Sequence, residues 1–360
     1  MSFLRLEKLT KIFGKGKNKV IAIDNLTIEV KEGEFAALLG PSGCGKTTTL
    51  RCIAGLEKPT NGRIYIGEED VSELPPHKRD IGMVFQFPAV YDSVTVFENI
   101  ALPLYAKKLS KNDVYRKVRE VAERFDLLDV LEKKPNKLDI SLRQRMVLAR
   151  AIAKEPRLLL LDEPLTPLDP VSRVKMRSDL KRIQKDIKST IVYVTHDQTE
   201  AMSLADKIAI MDKGELIQYD TPENIYLKPA NTFVSFFVGE PGMNLIDANI
   251  FYKEGGQFIR IGQYVFKINL TLDKPLEGEI IFGIRPEHIS ISMGGKGMVQ
   301  GNVIMSEIIG GRSIQHVDVS GVLIKVKVPE PLQLSGKVVW LEFQKDMIRL
   351  FNKKTGQLIC

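Results

Sequence analysis

The sequence predicts an α/β domain with a phosphate-binding loop, an antiparallel β lead-in and a helical insert, followed by a small all-β domain that we expect to be a barrel. Three observations support this prediction. A glycine-rich loop separates a short apolar segment from a helical one, four consecutive leucines end on two acidic residues, and the apolar periodicity changes from helical to alternating after residue 239. The chain has 360 residues, which is enough for two or three domains of ordinary size.

The glycine-rich loop matches the pattern of a glycine, any four residues, and then Gly-Lys-Thr. Its residues, with the one that follows, are Gly40, Pro41, Ser42, Gly43, Cys44, Gly45, Lys46, Thr47 and Thr48. Residues 34–39 are typical of a buried strand and residues 48–54 of a helix start. Glycines let backbone N–H groups turn toward phosphate oxygens, and a helix N-terminus adds its positive dipole end. We therefore expect a nucleoside triphosphate site, with Lys46 at the outer phosphates and the Thr47 hydroxyl at Mg²⁺.

The composition is that of an ordinary globular protein, since 44% of the residues are hydrophobic and 27% are charged. No apolar run approaches the roughly 18 residues that a membrane-spanning helix needs. Residues 1–7 carry charges where a signal peptide has its apolar core, so we expect a soluble, cytoplasmic protein. The net charge of +7 comes from scattered basic residues, which favours a solvated surface over a nucleic-acid site.

The first 35 residues or so are typical of two antiparallel strands that precede the loop. Phe13 stands directly before a turn at Gly14. An aromatic ring at this place either stacks on the adenine of a nucleotide or anchors its strand in the core. The residues alone leave both interpretations open.

A polar residue, Gln86, follows a short apolar strand predicted at residues 81–85, and its side chain can reach Mg²⁺ or an attacking water. From there the pattern is helical, and we expect a helical subdomain over about residues 87–154. Ser110 with Asp113 resembles a capping box at the start of one helix. The apolar face of this helix is predicted to be internal core, and an exposed groove for a partner helix is the alternative.

Two acidic residues, Asp162 and Glu163, directly follow the leucines of residues 158–161. A continuous apolar run is typical of a central parallel strand, and nucleotides bind at the carboxyl ends of such strands. Asp162 is therefore predicted to hold Mg²⁺ through water, and Glu163 to polarise the attacking water. A further apolar strand at residues 189–196 ends on His196, whose ring can donate to the γ-phosphate.

The second half of the chain contains the predicted domain boundary at residues 239–242, Gly-Glu-Pro-Gly, so the expected domains are 1–238 and 239–360. Before the boundary, residues 222–238 are predicted to form a helix with apolar positions at Ile225, Tyr226, Phe233, Phe236 and Phe237. After it, we expect short strands at 257–261, 265–270, 277–284, 299–307, 314–319, 323–328 and 338–343. This region contains no catalytic constellation that we identify from the sequence.

Together these residues resemble the ATP-binding subunit of an ABC importer, especially the sugar-importer group of the maltose-transporter ATPase type, over essentially the whole chain. In the terms of that family, residues 40–47 match the Walker A loop and residues 158–163 the Walker B strand with its catalytic glutamate. The remaining matches are Gln86 to the Q-loop, His196 to the switch histidine, Phe13 to the adenine-stacking aromatic and Leu168-Asp169 to the D-loop. Residues 282–288, Phe-Gly-Ile-Arg-Pro-Glu-His, resemble a recurrent phrase in the family's C-terminal regulatory barrels, which are OB-like.

The resemblance implies an ATPase that binds ATP and Mg²⁺, with Lys46, Glu163 and His196 in catalysis and Thr47, Gln86 and Asp162 at the metal. It also implies closure of two ATPase subunits over ATP, coupled to membrane permeases at the cytoplasmic face of the membrane. An external solute-binding protein would act indirectly, and nucleic acid would not be a partner. A soluble ABC ATPase of DNA repair or translation is a rival class, which the short insert after Gln86 and the C-terminal barrel disfavour.

One motif departs from the family pattern. The signature, Leu-Ser-Gly-Gly-Gln or a close variant, should stand where this chain has Leu138, Asp139, Ile140, Ser141 and Leu142. In the family this loop caps the ATP of the opposite subunit with a serine hydroxyl and glycine amides at a helix N-terminus. Asp139 is a sound N-cap for its own helix, but its carboxylate repels a phosphate. Ile140 and Ser141 also add side chains where the backbone should approach closely.

We therefore hypothesise that this chain hydrolyses ATP when a partner supplies an intact signature loop and is itself a poor signature donor. A homodimer would then have two compromised sites, and a heterodimer with an intact paralogue would have one good site. The alternative function is a regulatory or asymmetric subunit with little turnover of its own. The alternative for the loop is that it shifts and still works.

Overall fold

The computed structural model describes residues 2–87, 89–268, 275–295 and 297–360. These residues form two units, Met1–Pro222 and Glu223–Cys360. The strands and helices of the first unit are β1 Ser2–Phe13, β2 Val20–Lys31, β3 Phe35–Leu39, α1 Lys46–Ala54, β4 Asn61–Ile66, β5 Glu69–Asp70, β6 Ile81–Val84, α2 Val96–Ala106, α3 Lys111–Arg124, α4 Ile140–Ile152, β7 Leu158–Asp162, α5 Pro170–Ile187, β8 Thr190–Thr195, α6 Gln198–Leu204, β9 Lys207–Asp212 and β10 Glu215–Asp220.

A sheet in the order β10-β9-β3-β8-β7-β6 forms the centre of the first unit. Its strands β9, β3, β8, β7 and β6 are parallel, and only the edge strand β10 runs antiparallel to its neighbour. Every residue of β3, β7 and β8 is buried, as expected for central strands covered on both faces. The parallel register brings the carboxyl ends of β3, β6, β7 and β8 to one edge of the sheet, and the candidate site lies there.

The predicted antiparallel lead-in is confirmed, because β1 pairs with β2 and β4 in a second sheet of order β2-β1-β4-β5. One continuous hydrophobic cluster joins buried residues of this sheet, of α1 and of the central strands. The phosphate loop therefore connects two elements, β3 and α1, that are both anchored in this hydrophobic core.

The helical subdomain consists of α2, α3 and α4. Ser110 caps α3, because its Oγ accepts the backbone N–H of Asp113 at 3.2 Å. The apolar residues of α3, Val114, Val118, Val121 and Ala122, are buried, so the prediction that they form internal core is confirmed. Helix α4 begins at Ile140, and Asp139 caps it.

The helix predicted over residues 222–238 is wrong as a single element. The structure has two short helices, α7 Pro222–Leu227 and α8 Thr232–Phe237. Pro229 disfavours helical backbone at Lys228, and Asn231 starts α8 anew by accepting the backbone N–H of Val234 at 3.0 Å. Phe236, expected on the apolar face, is instead 63% exposed.

The strands of the second unit are β11 Asn244–Lys253, β12 Gly256–Ile261, β13 Tyr264–Ile268, β14 Gly278–Ile284, β15 Ile289–Ser292, β16 Val299–Ile309, β17 Arg312–Val319, β18 Val322–Val328, β19 Val338–Phe343 and β20 Arg349–Asn352. Within the described ranges they make two antiparallel sheets, β13-β12-β11-β14-β20 and β15-β19-β16-β17-β18, which share one hydrophobic core. The sequence pattern missed β11, β15 and β20. The end of the strand predicted at 265–270 lies outside the described residues.

The unit boundary after Pro222 comes earlier than the predicted boundary after residue 238. The segment between them is bonded to β14 through Arg285, whose guanidinium donates to the carbonyls of Tyr226 and Val238. Of the helices in the described part of the chain, none combines the length and the apolar character needed to cross a membrane.

Candidate active site

The phosphate loop joins β3 to α1 in a conformation that requires glycine. Gly45 has a φ of 104°, and a Cβ on it would lie 2.2 Å from the carbonyl oxygen of Ala22. A Cβ on Gly40 would likewise lie 2.2 Å from the carbonyl oxygen of Met211. Any larger residue at either position would push the loop away from β2 or β9. The backbone N–H groups at the start of α1 are thus held at the carboxyl edge of the sheet.

Lys46, the first residue of α1, is buried, and its ammonium lies over the loop. The Nζ donates to the carbonyl oxygens of Gly40 at 2.7 Å and Pro41 at 2.8 Å. The positive charge is therefore already positioned above the glycine amides, where the outer phosphates of a nucleotide are expected.

Thr47 and Asp162 meet across the site. The Thr47 hydroxyl donates to Oδ1 of Asp162 at 3.0 Å. Burial raises the pKa of Asp162, while the Thr47 hydrogen bond acts in the opposite direction. A hydroxyl and a carboxylate beside a phosphate-binding loop are hard oxygen donors, so this pair fits the coordination preferences of Mg²⁺.

Glu163 follows β7 with a φ of 45°, a left-handed conformation that is uncommon for a residue with a side chain. Its backbone N–H donates to the carbonyl of Val194 on β8 at 2.9 Å, which fixes it at the edge of the sheet. Its Oε2 lies 3.1 Å from Nδ1 of His196 and accepts from Gln86 Nε2 at 3.2 Å. Gln86 and His196, predicted from two other strand ends, are thus both in direct contact with Glu163.

The sequence interpretation missed Thr166, whose hydroxyl donates to the same Glu163 oxygen at 3.2 Å. The only signal for it was a hydroxyl three residues after a catalytic candidate in a turn. An open pocket of about 310 Å³ lies over the phosphate loop and is also lined by Ala22, Gln86 and Glu163. A nucleotide entering it meets the loop amides, Lys46 and the carboxylate together.

Phe13 is 39% exposed, and Nζ of Lys11 lies 4.8 Å from the centre of its ring. The interpretation of Phe13 as a buried strand anchor is therefore wrong. Its neighbours across the hairpin, Val20 and Ile21, are exposed as well. This apolar surface is available to an aromatic base, so the stacking interpretation stays open.

The signature segment forms the N-terminal end of α4 and does not join the phosphate loop. Oδ1 of Asp139 accepts the backbone N–H of Leu142 at 2.8 Å, as the sequence predicted for an N-cap. Leu138 is buried, whereas the side chain of Ile140 is 60% exposed beside the cap. The carboxylate thus already satisfies an N–H group that the family's loop would direct at a partner's phosphate.

One further contact attaches this region to the site. Gln144 is buried on α4, and its Nε2 donates to the carbonyl of Pro164, next to Glu163, at 2.6 Å.

In the D-loop segment, Leu168 is buried and Asp169 caps α5 by accepting the backbone N–H groups of Val171 and Ser172. Hydrogen bonding with the Ser172 side chain, together with these backbone N–H groups, lowers the pKa of Asp169.

Comparison with known proteins gives family matches in both units. The ABC transporter family matches residues 23–166, and the MalK OB fold domain family matches residues 239–289. The trehalose/maltose import ATP-binding protein MalK of Thermococcus litoralis is 42% identical, and the sn-glycerol-3-phosphate import ATP-binding protein UgpC of Salmonella typhi is 39% identical. Both alignments cover 100% of this chain and of the relative.

Solved structures give the same picture for the first unit. A dimeric ATP-binding cassette in a post-hydrolysis state, bound to ADP and Pi, is similar with a TM-score of 0.56 and 32% identity, covering 61% of this chain and 98% of that one. The protein cbiO1 from Clostridium perfringens, part of an ABC transporter complex, is similar with a TM-score of 0.58 and 25% identity, covering 62% of this chain and 91% of that one.

Proposed function

This chain belongs to the ATP-binding subunits of ABC importers, which are ATPases, and from that membership we propose how its residues hydrolyse ATP and what the importer carries. The contact of Gln86, Glu163 and His196 above the phosphate loop is the observation that supports the proposal. The relatives named above are import ATP-binding proteins, so they do not favour the alternative of a regulatory subunit with little turnover.

In the proposed reaction, the phosphate-loop amides and Lys46 hold the β- and γ-phosphates. Glu163 polarises the attacking water, and His196 donates to an oxygen of the γ-phosphate as negative charge develops there. Phe13 stacks on the adenine. Thr47, Asp162 and Gln86 are the residues that would hold Mg²⁺, which offsets phosphate charge when it is bound.

We further propose that a second ATPase subunit pairs with this one and that membrane permeases dock on a groove of about 440 Å³ in the helical subdomain. The groove lies between β6, α2 and α4, and Tyr91, Leu102 and Pro103 are among its lining residues. Tyr91 is 53% exposed and Leu102 is 38% exposed, and Phe87 nearby in sequence is 86% exposed. Such an apolar groove fits a short amphipathic helix of a permease, and we propose that the chain acts at the cytoplasmic face of the membrane.

Leu102→Asp is expected to release the full-length chain from membranes, because a carboxylate would be desolvated against the docked helix. In cells that contain the permeases, the wild-type chain should sediment with membranes and the variant should remain in the soluble fraction. Leu128→Asp is the matched control, since Leu128 is 37% exposed and lies outside the groove lining. If Leu102→Asp sediments with membranes as the wild type does, this docking site is wrong.

We propose a sugar as the transported solute, which the similarity to the trehalose/maltose import protein supports. A strain that lacks this chain should lose ATP-dependent uptake of one labelled sugar, with trehalose and maltose as the first to test. Labelled sn-glycerol-3-phosphate is the comparison substrate, and its selective loss would overturn the sugar assignment in favour of a phosphorylated polyol. An external solute-binding protein would deliver the solute to the permeases.

A further inference from the structure

The turn that carries His196 lies between β8 and α6, and a buried carboxylate, that of Glu200, fixes it by hydrogen bonds. Glu200 is 3% exposed, and its Oε2 accepts the hydroxyls of Tyr193 at 2.8 Å and Thr195 at 2.7 Å. Burial raises the pKa of Glu200, and the two hydroxyl bonds oppose that rise. Asp197 continues the turn by accepting the backbone N–H of Glu200 at 3.1 Å. The backbone on both sides of His196 is therefore fixed by side-chain hydrogen bonds.

One side chain from another helix contacts both this turn and the D-loop. Nη2 of Arg173, on α5, donates to the carbonyl oxygen of Leu168 in the D-loop at 3.1 Å. Its Nη1 lies 3.6 Å from Oδ2 of Asp197, and its Nε lies 3.8 Å from Oε1 of Glu200. A single guanidinium thus connects the D-loop backbone to two carboxylates that follow His196, Asp197 and Glu200.

The geometry of the guanidinium explains what this link does. The ion-pair distances are long and the Arg173 side chain is 31% exposed, so each pair contributes little to stability. However, the guanidinium is planar and its donors point in fixed directions, so all three contacts hold only while the D-loop and the His196 turn keep this separation. Arg173 therefore fixes the distance between the two segments and contributes little to the free energy of folding.

We propose that Arg173 is a positioning residue that couples the D-loop to His196. When a second ATPase subunit docks against the D-loop, a shift of Leu168 moves Arg173 and, through Asp197 and Glu200, the turn that carries His196. Placement of the histidine at the γ-phosphate then depends on the presence of the partner. This inference rests on the proposed function for the role of His196, whereas the physical link itself does not.

The first test measures ATP turnover by the full chain. Arg173→Ala should lower kcat by about tenfold and change KM for ATP by less than about twofold, since the phosphate loop is untouched. Arg173→Lys keeps the charge but lacks the planar guanidinium with its several donors. Its kcat should lie between those of Arg173→Ala and the wild type. Arg182→Ala is the control on the same helix: Arg182 is 59% exposed and contacts Asp179 and the carbonyl of Arg124. The control should retain wild-type kcat.

A double-mutant cycle separates positioning from general destabilisation. If Arg173 acts through His196, Arg173→Ala in a His196→Ala background should lower kcat further by less than about twofold. A full tenfold loss in that background would overturn the proposal, because the two residues would then act independently.

A second measurement does not depend on turnover. The chain has four histidines, so the ring signals of ¹⁵N-histidine-labelled protein can be assigned by recording His196→Ala alongside the wild type. Arg173→Ala should shift or broaden the His196 signal and leave those of His77, His288 and His316 in place. An unchanged His196 signal overturns the proposed link. Absence of Glu163-dependent turnover in the wild type would instead overturn the proposed function, and the histidine signals would still decide on the link.

Discussion

Glu163→Gln should lower the rate of ATP hydrolysis by about a hundredfold or more while ATP binding stays within about twofold of wild type. The amide has the shape of the carboxylate and can still contact Gln86 and His196, but it cannot take up a proton from the attacking water. The phosphate loop and Lys46 are unchanged, so the ground-state contacts to the nucleotide remain. Phosphate release at saturating ATP measures the loss, and calorimetric titration with ATP measures the retained binding.

The control for this prediction is Glu68→Gln, which removes the same charge from an exposed position in the turn between β4 and β5. It should hydrolyse ATP at the wild-type rate. Equal turnover by Glu163→Gln and wild type would mean that another group activates the water or that the measured activity comes from a contaminant.

Restoring the family signature with Asp139→Ser, Ile140→Gly and Ser141→Gly together should raise ATP turnover by about tenfold. The Asp139 carboxylate and a phosphate charge about 4 Å apart repel by about 4 kcal/mol at a surface-like dielectric, and salt and the nearby cations offset most of it. Serine keeps the N-cap of α4, so the helix start survives the change. The two glycines cost about 1 kcal/mol each of helix stability, so a lower melting temperature should accompany the higher activity.

Two partial variants show which substitution matters. Asp139→Ser alone removes the charge and keeps both side chains, and it should give most of the gain. Ile140→Gly with Ser141→Gly keeps the Asp139 carboxylate and should give little. If the wild-type chain already turns over ATP as fast as the repaired one, the divergent loop works in a pair of identical subunits, and the hypothesis of a poor signature donor is wrong.

The parts of the site that follow local sequence patterns could be predicted. Lys46 and Thr47 belong to a loop pattern with a fixed spacing, and Asp162 and Glu163 end an apolar run that has to be a central strand. Because parallel strands end at one edge of a sheet, the meeting of Glu163 with His196 also follows from the strand assignments. The fold class is predictable for the same reason.

Contacts that depend on tertiary packing could not be predicted. Arg173 is one of several basic residues on α5, and nothing in its spacing distinguishes the one that reaches the His196 turn. The exposure of Phe13 depends on what packs against the end of β1, where it pairs with Val20, and the sequence pattern does not specify that packing. Strand β11 alternates as a strand should, with Ile246, Ala248 and Ile250 buried, but it begins just after the Gly-Glu-Pro-Gly boundary, where the turn residues hide its start.

The position of Lys46 has a consequence for the pace of the transport cycle. Its ammonium donates to the carbonyl oxygens of Gly40 and Pro41, with Sγ of Cys44 as a weaker third partner, before any nucleotide binds. After product leaves, these partners satisfy the ammonium, so the buried lysine is not left without a hydrogen bond. Partners that already satisfy Lys46 lower the cost of product release, which is the rate-limiting step in many enzymes.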